Sequence, residues 1–262
     1  MNAGDLDDLL DFANALADQA RPVILNYFRR PLSVENKADA SPVTIADRET
    51  ERMLRTLIRE RFPDHGLLGE EHGREDTESR YTWVIDPIDG TRSFIAGMPT
   101  FGTLIALLAG GRPILGVLDM PALNERWVGA GGRTTLMNGS VCRSRRCERL
   151  QDALLFATSI DMFDRASRHG FDEVSARVRF RRFGADCYAY GLLASGFVDL
   201  VIEADLQPYD YLALISVIEG AGACISDWRG KPLGIDSDGR VVAAATPALH
   251  EQALNILRKA PD

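Results

Sequence analysis

The stretch Trp83-Val84-Ile85-Asp86-Pro87-Ile88-Asp89-Gly90-Thr91 decides how the rest of the chain is read. A β-prone run from Tyr81 to Ile85 delivers the chain into an acidic turn, where Asp86 and Asp89 stand three positions apart. Pro87 fixes its own φ and restricts Asp86 before it, so covalent geometry holds the spacing of the two carboxylates. Thr91, Ser93 and Phe94 then read as the opening of a short helix after Gly90. Carboxylate oxygens suit a hard cation, and free backbone N–H groups at a helix start suit an anion. A cation beside a phosphate therefore fits this stretch. Taken alone, Asp-Pro-Ile-Asp reads equally well as a strand followed by a solvated turn, so the remaining chain has to decide.

With 262 residues, the chain can bury a substantial core as one large domain or two smaller ones. Hydrophobic content of 45% and charged content of 26% are those of a soluble globular protein. No apolar run reaches the roughly 20 residues of a membrane span. The acidic segment Met1 to Asp11 lacks the basic start and apolar core of a signal peptide. The expectation is a cytoplasmic protein with no membrane partner. A net charge of −8 argues against a nucleic-acid partner, which needs clustered Lys and Arg. The basic run Arg143, Arg145, Arg146 and Arg149 reads as a solvated face. An acidic protein that handles anionic substrates needs cations to bring the two together. Cys142, Cys147, Cys187 and Cys224 form no CxxC pair, and His65, His72, His169 and His250 no HxH or HExxH, so zinc and redox chemistry are not indicated.

Apolar spacing from Leu6 to Phe28 predicts a helix with a kink at Pro22. Residues 30–42 are polar and irregular. A second helix is expected from Thr44 to Arg61, with Thr44 as N-cap, Asp47 in the first turn, and Ile45, Met53, Leu54, Leu57 and Ile58 facing inward. Leu67 to Glu71 is a short apolar run closing on two glutamates, and His72 to Arg80 a polar loop. Phe101 to Leu108 and Ile114 to Asp119 read as a hairpin, followed by a strand at Glu125 to Ala130 and a tight turn at Asn138-Gly139. A boundary is expected near Val141 to Leu150, dividing the chain into 1–142 and 143–262. Beyond it come strands at 153–158, 178–183, 198–202 and a closing one at 224–228. Helices at 163–177, 188–195 and 209–220 alternate with them, as in a layered α/β unit.

Acids stand at several strand ends or helix starts: Asp47, Glu70-Glu71, Asp86 and Asp89, and Asp210 within Pro208-Tyr209-Asp210. Each alone reads as a cap or a solvated turn. Drawn into one cleft they would repel one another unless divalent cations filled it, and the absence of His and Cys favours Mg2+ over zinc. Together, Gly69-Glu70-Glu71, Trp83 to Thr91 and Pro208-Tyr209-Asp210 closely resemble the inositol monophosphatase family of Mg2+-dependent, lithium-sensitive phosphatases. The resemblance runs from the second helix to Gly220-Ala221-Gly222-Ala223. It implies a layered αβαβα sandwich, α+β or α/β in class, of the inositol monophosphatase/fructose-1,6-bisphosphatase type. It implies that Glu70, Asp86, Asp89, Asp210 and the Ile88 carbonyl ligate two or three Mg2+. Asp47, Glu70 and Thr91 would share the activation of the attacking water, with Gly90 and Thr91 N–H groups on the phosphate and Glu71 supporting Glu70. A homodimer is also implied.

Within the family, Asn36 to Thr44, the run Pro63 to Glu71, Phe101 to Leu107 and above all Gly184 to Leu192 look like the histidinol-phosphatase branch. That branch implies L-histidinol phosphate as substrate, in histidine biosynthesis. Asp186 and Glu203, with Asp210, would face the cationic leaving group, whereas a neutral polyol needs no such acids. Asp186 also reads as a cap for the helix at Tyr188. Arg92 reads either as a surface residue or as one approaching the substrate. Rival readings are an inositol-1-monophosphatase, a broad-specificity sugar or nucleotide phosphatase, and a catalytically silent metal-binding regulator. The Asp-x-Asp of haloacid-dehalogenase phosphatases is not the spacing of Asp86 and Asp89.

Overall fold

In the computed structural model, which describes residues 3–31, 34–36 and 42–259, the first apolar face becomes α1 (Ala3–Tyr27), continuous through Pro22. β1 (Val34–Asn36) and β2 (Pro42–Thr44) pair antiparallel in a segment expected to be irregular. A ribbon of three residues a side is too short to show a period. Lys37 to Ser41, part of the run that suggested the histidinol branch, lie outside the described residues. α2 (Ile45–Arg61) starts where Thr44 can cap it. Ile45, expected inside, is 48% exposed, because the inward row of α2 runs through Ala46, Thr50, Leu54 and Ile58.

Next come β3 (Gly66–Gly69), β4 (Gly73–Glu75), β5 (Tyr81–Asp89), α3 (Thr91–Ile95), β6 (Gly102–Ala109), β7 (Arg112–Met120), β8 (Glu125–Ala130), β9 (Leu136–Met137) and β10 (Ser140–Val141). The strands form one sheet in the order β10-β9-β8-β7-β6-β5-β3-β4. The expected hairpin is β6–β7, and Asn138-Gly139 turns between β9 and β10 with positive φ at both residues. β4 lies in the expected polar loop; as an exposed edge strand it carries no apolar signal.

The second half supplies β11 (Leu154–Ala157), α4 (Arg165–Ser175), β12 (Phe180–Phe183), α5 (Tyr188–Ala194), β13 (Leu200–Glu203), α6 (Pro208–Gly220), β14 (Cys224–Asp227), β15 (Val241–Ala244) and α7 (Pro247–Leu257). Its sheet runs β12-β11-β13-β15-β14, parallel among the first three and antiparallel at β15. The segment 224–228 is therefore an edge and not the closing strand, since β15 inserts between it and β13. Arg145, in the basic run expected to be merely solvated, grips the buried Asp199.

Alternating side chains sort the strands into three apolar layers. On β6, Ile105 and Leu107 face α1 and α2, while Leu104, Ala106 and Leu108 face α5 and α6. On β15, Val241 and Ala243 share that middle layer, and Val242 and Ala244 face α4 and α7. The result is the expected stack of helices, sheet, helices, sheet, helices. No helix among the described residues is long and apolar enough to cross a membrane.

α6 lies almost in backbone contact with the large sheet. A Cβ on Gly116 would stand 1.9 Å from the Ala213 carbonyl oxygen, and one on Gly129 2.2 Å from that of Ser216. This close seat sets the height of Asp210 at the start of α6. Gly116→Ala should lift the helix and destabilise the fold by about 1–3 kcal/mol, read as a lowered thermal midpoint. An unchanged midpoint would mean that the helix has slack above the strands.

Candidate active site

Residues three apart on a regular strand point to opposite faces. β5 avoids this with a bulge: Asp86 pairs with Leu104 and Asp89 with Gly102, leaving Pro87 and Ile88 together against Thr103. Trp83 and Ile85 face the α1/α2 layer and Val84 the α5/α6 layer, but beyond the bulge Ile88 faces α1/α2. The parity has flipped, so Asp86 and Asp89 share the α5/α6 face. Pro87 suits the bulge because it has no N–H to leave unpaired, and its carbonyl accepts a bond from Thr103 Oγ1 at 2.8 Å. The acidic pair therefore lies inside the strand, not in a turn following it.

Carboxylate oxygens of Asp86, Asp89 and Asp210 all lie within 4.8 Å of one another. Each acid is fastened through one oxygen by a backbone N–H. Ile88 N donates to Asp86 at 3.0 Å, Cys187 N to Asp89 at 2.7 Å, and Gln207 N to Asp210 at 2.7 Å. Asp47 is held likewise by Thr44 N at 2.8 Å. For Asp47 and Asp210 that bond belongs to the capping box that starts α2 and α6. The residue that begins each helix thus also aims a carboxylate. Thr91 Oγ1 stands 3.1 Å from the Ile88 carbonyl oxygen and 3.5 Å from Asp47 Oδ1. Glu70 N continues the β3–β5 pairing by donating to the Ile85 carbonyl at 3.3 Å, which sets Glu70 beside Asp86. Gly90 turns the chain out of β5 with φ of 81°.

At an effective dielectric of about 20, unit charges this close repel by about 3.5 kcal/mol or more per pair. Burial and that repulsion push Asp86 and Asp210 well above the usual carboxylate range. Burial, followed by the Asp186 charge, raises Asp89 to about 7. Burial raises Asp47 to about 6 against the bonds from Thr44, with Glu70 adding to the rise. The Tyr209 hydroxyl, unforeseen in the sequence, is also raised by burial and by Asp210, Glu70, Asp86 and Glu71. An all-oxygen donor set under mutual repulsion fits a hard divalent cation.

Asp186 sits at φ 47°, and its Oδ2 accepts a 2.5 Å bond from Ser93 Oγ. It does not cap α5, whose cap position is Cys187 with no side-chain bond. Burial raises the Asp186 pKa against the lowering effect of the Ser93 bond and, after it, of the charge on the exposed Arg92. Glu203 is buried with both oxygens engaged: Thr158 donates to one through N at 3.0 Å and Oγ1 at 2.5 Å, and Tyr190 donates its hydroxyl to the other at 2.7 Å. Ser93, Thr158, Tyr190 and the Cys187 N–H went unread because nothing local ties them to acids up to 98 positions away.

The sequence profile of the inositol monophosphatase family matches residues 5–262. The chain belongs to that family. The match starts earlier and ends later than the motifs that first suggested it. The chain is 47% identical to the bifunctional phosphatase IMPL2, chloroplastic, of Arabidopsis thaliana, across 97% of this chain and 76% of that one. It is 39% identical to the histidinol-phosphatase of Chlorobaculum parvum, across 89% and 91%. Among solved structures, an inositol monophosphatase from Zymomonas mobilis superposes with a TM-score of 0.90 at 43% identity, covering 98% of this chain and all of that one. The family makes the chain a phosphatase acting on phosphoric monoesters.

A carboxylate whose pKa rises on folding stabilises the fold below its ordinary value of 3.8, and loses that contribution as pH climbs through the folded value, here about 6 for Asp47 and about 7 for Asp89. A divalent cation favours the ionised forms, so its stabilising effect should grow across the same window. The thermal midpoint with Mg2+, minus that with chelator, should be small near pH 5 and several degrees near pH 8. Equal increments at both would mean that the acids do not share a cation.

Proposed function

We propose that the chain is a Mg2+-dependent phosphomonoesterase whose preferred substrate is L-histidinol phosphate. Glu70, Asp86, Asp89, Asp210 and the Ile88 carbonyl would hold two or three Mg2+, which supply Lewis-acid charge beside the phosphate and acidify water. Gly90 and Thr91 N–H groups would receive phosphate oxygens where the chain turns out of β5. Thr91 Oγ1 takes a proton from the attacking water as it passes its own to Asp47. Asp47, raised to about 6, can both accept and release that proton near neutral pH. Glu70 supports the relay through its charge on Asp47.

The observation that carries the substrate reading is the extra acid beside the cluster. Asp186 and Glu203 both act on Asp89 by charge, and neither belongs to the converging trio. With Asp210 they favour a leaving group that brings positive charge, as the ammonium and imidazole of L-histidinol do. The histidinol-phosphatase relative supports the same reading. A second reading, inositol phosphate or a broader set of phosphate esters, is favoured by the bifunctional name of the 47% relative and by the bonds that already engage Glu203. The convergence of the acids counts against a silent regulator. We further read the chain as two units, 1–142 and 143–262, sharing this cleft in a lithium-sensitive, cytoplasmic homodimer that serves histidine biosynthesis.

Phosphate release from L-histidinol phosphate should exceed that from inositol 1-phosphate and an adenosine bisphosphate, and Li+ should inhibit it. Comparable rates on all three would remove the substrate assignment and leave the phosphatase. Asp186→Asn should lower turnover of L-histidinol phosphate by about tenfold more than that of inositol 1-phosphate, the size of one charge contact of about 1.4 kcal/mol. Equal losses would make Asp186 a support for the Ser93 turn.

A further inference from the structure

Two buried charges on α2 have no part in the site so far, yet they grip the turn that carries Glu70. Glu51 is fully buried, and its carboxylate accepts from Glu71 N at 2.6 Å, His72 N at 3.1 Å and Arg55 Nε at 2.7 Å. His72 Nδ1 lies 3.4 Å from the same carboxylate. Arg55, one helical turn on and 3% exposed, donates to the Gly73 carbonyl and, at 2.8 Å, to Glu75. Arg59 adds a further bond to Glu75. The pair thus contacts Glu71, His72, Gly73 and Glu75 from one face of α2. Gly69 completes the fit, since a Cβ there would stand 2.1 Å from Glu51 Oε1.

We infer that Glu51 and Arg55 are positioning residues that set the Glu70-Glu71 turn against the bulged strand and so preorganise the cation site. The inference rests on the reading that Glu70 is a cation ligand. Asp47, Glu51 and Arg55 follow one another at four-residue intervals, so they lie along one row of α2. A carboxylate receiving two adjacent backbone N–H groups leaves the turn few alternatives, and burial makes those bonds strong. An isolated buried carboxylate would be costly; the Arg55 guanidinium supplies the compensating charge. The structural logic is that of a metal ligand oriented by a partner behind it, whose loss weakens affinity by about 10–100-fold.

The test is calorimetric titration of Mg2+ into wild type, Glu51→Gln and Glu70→Gln, with amide exchange at Glu71 and His72 as a second readout. Glu51→Gln puts an amide donor against N–H groups and removes the charge partner of Arg55. Its Mg2+ dissociation constant should rise about 10–100-fold and the two amides should exchange faster, with maximal turnover largely recovered at saturating Mg2+. A merely structural role would lower the thermal midpoint and leave the Mg2+ affinity of the folded protein within about twofold, which overturns the inference. If Glu70→Gln weakens Mg2+ binding and Glu51→Gln does not, only the positioning role fails. Unchanged affinity in Glu70→Gln removes the ligand reading itself. Should Glu51→Gln not fold, Arg55→Lys takes its place, because it keeps the charge but cannot reach Gly73 and Glu75 together. It should shift affinity in the same direction by less, and a folded variant with wild-type affinity overturns the inference.

Discussion

The site depends on one constraint: four of its acids are each tethered by a backbone N–H to one carboxylate oxygen. Ile88, Cys187, Gln207 and Thr44 supply those donors to Asp86, Asp89, Asp210 and Asp47. Such bonds fix the side chains at the cost of ordinary hydrogen bonds, and they partly offset the repulsion that burial intensifies. The tethers come from different kinds of structure: a bulge, a loop before α5 and two helix starts. A disturbance of any one element therefore reaches the cluster through a hydrogen bond about 3 Å long.

The layered fold exists in a form that lets those tethers meet. α6 can bring Asp210 to the acidic pair only because Gly116 and Gly129 allow its backbone to rest on the large sheet. β5 can present both of its aspartates to α6 only because Pro87 and Ile88 together occupy the space of one residue against Thr103. Close packing and a local break in pairing thus place charge as well as hold the layers together.

Much of the architecture was legible because burial imposes periods on the sequence. The long apolar rows of α1 and α2, the β6–β7 hairpin and the alternation of the second half all carried their signal. Elements governed by few residues did not. β1, β2 and β4 are three residues long, too short to show a period, and β15 is a four-residue apolar run that periodicity alone assigns to neither strand nor helix. Ile45 was misplaced because helical phase near a cap is set by the inward row and not by hydrophobicity at one position.

For the site itself, the sequence alone determined which residue types were present, that two aspartates were separated by a proline, and that Thr44 and the Pro208 segment would open helices with Asp47 and Asp210 in their first turns. Those are local matters of backbone geometry and capping. The motifs also pointed to the family that the whole chain matches. Only the tertiary structure decided that Asp86 and Asp89 share a face, that Asp210 joins them, and that Glu203 is held by Thr158 and Tyr190. It also decided that Asp186 bonds Ser93 and caps no helix. The reason is physical. Register, bulge parity and the distance between layers arise from close packing of residues far apart in the chain, and no local propensity encodes them.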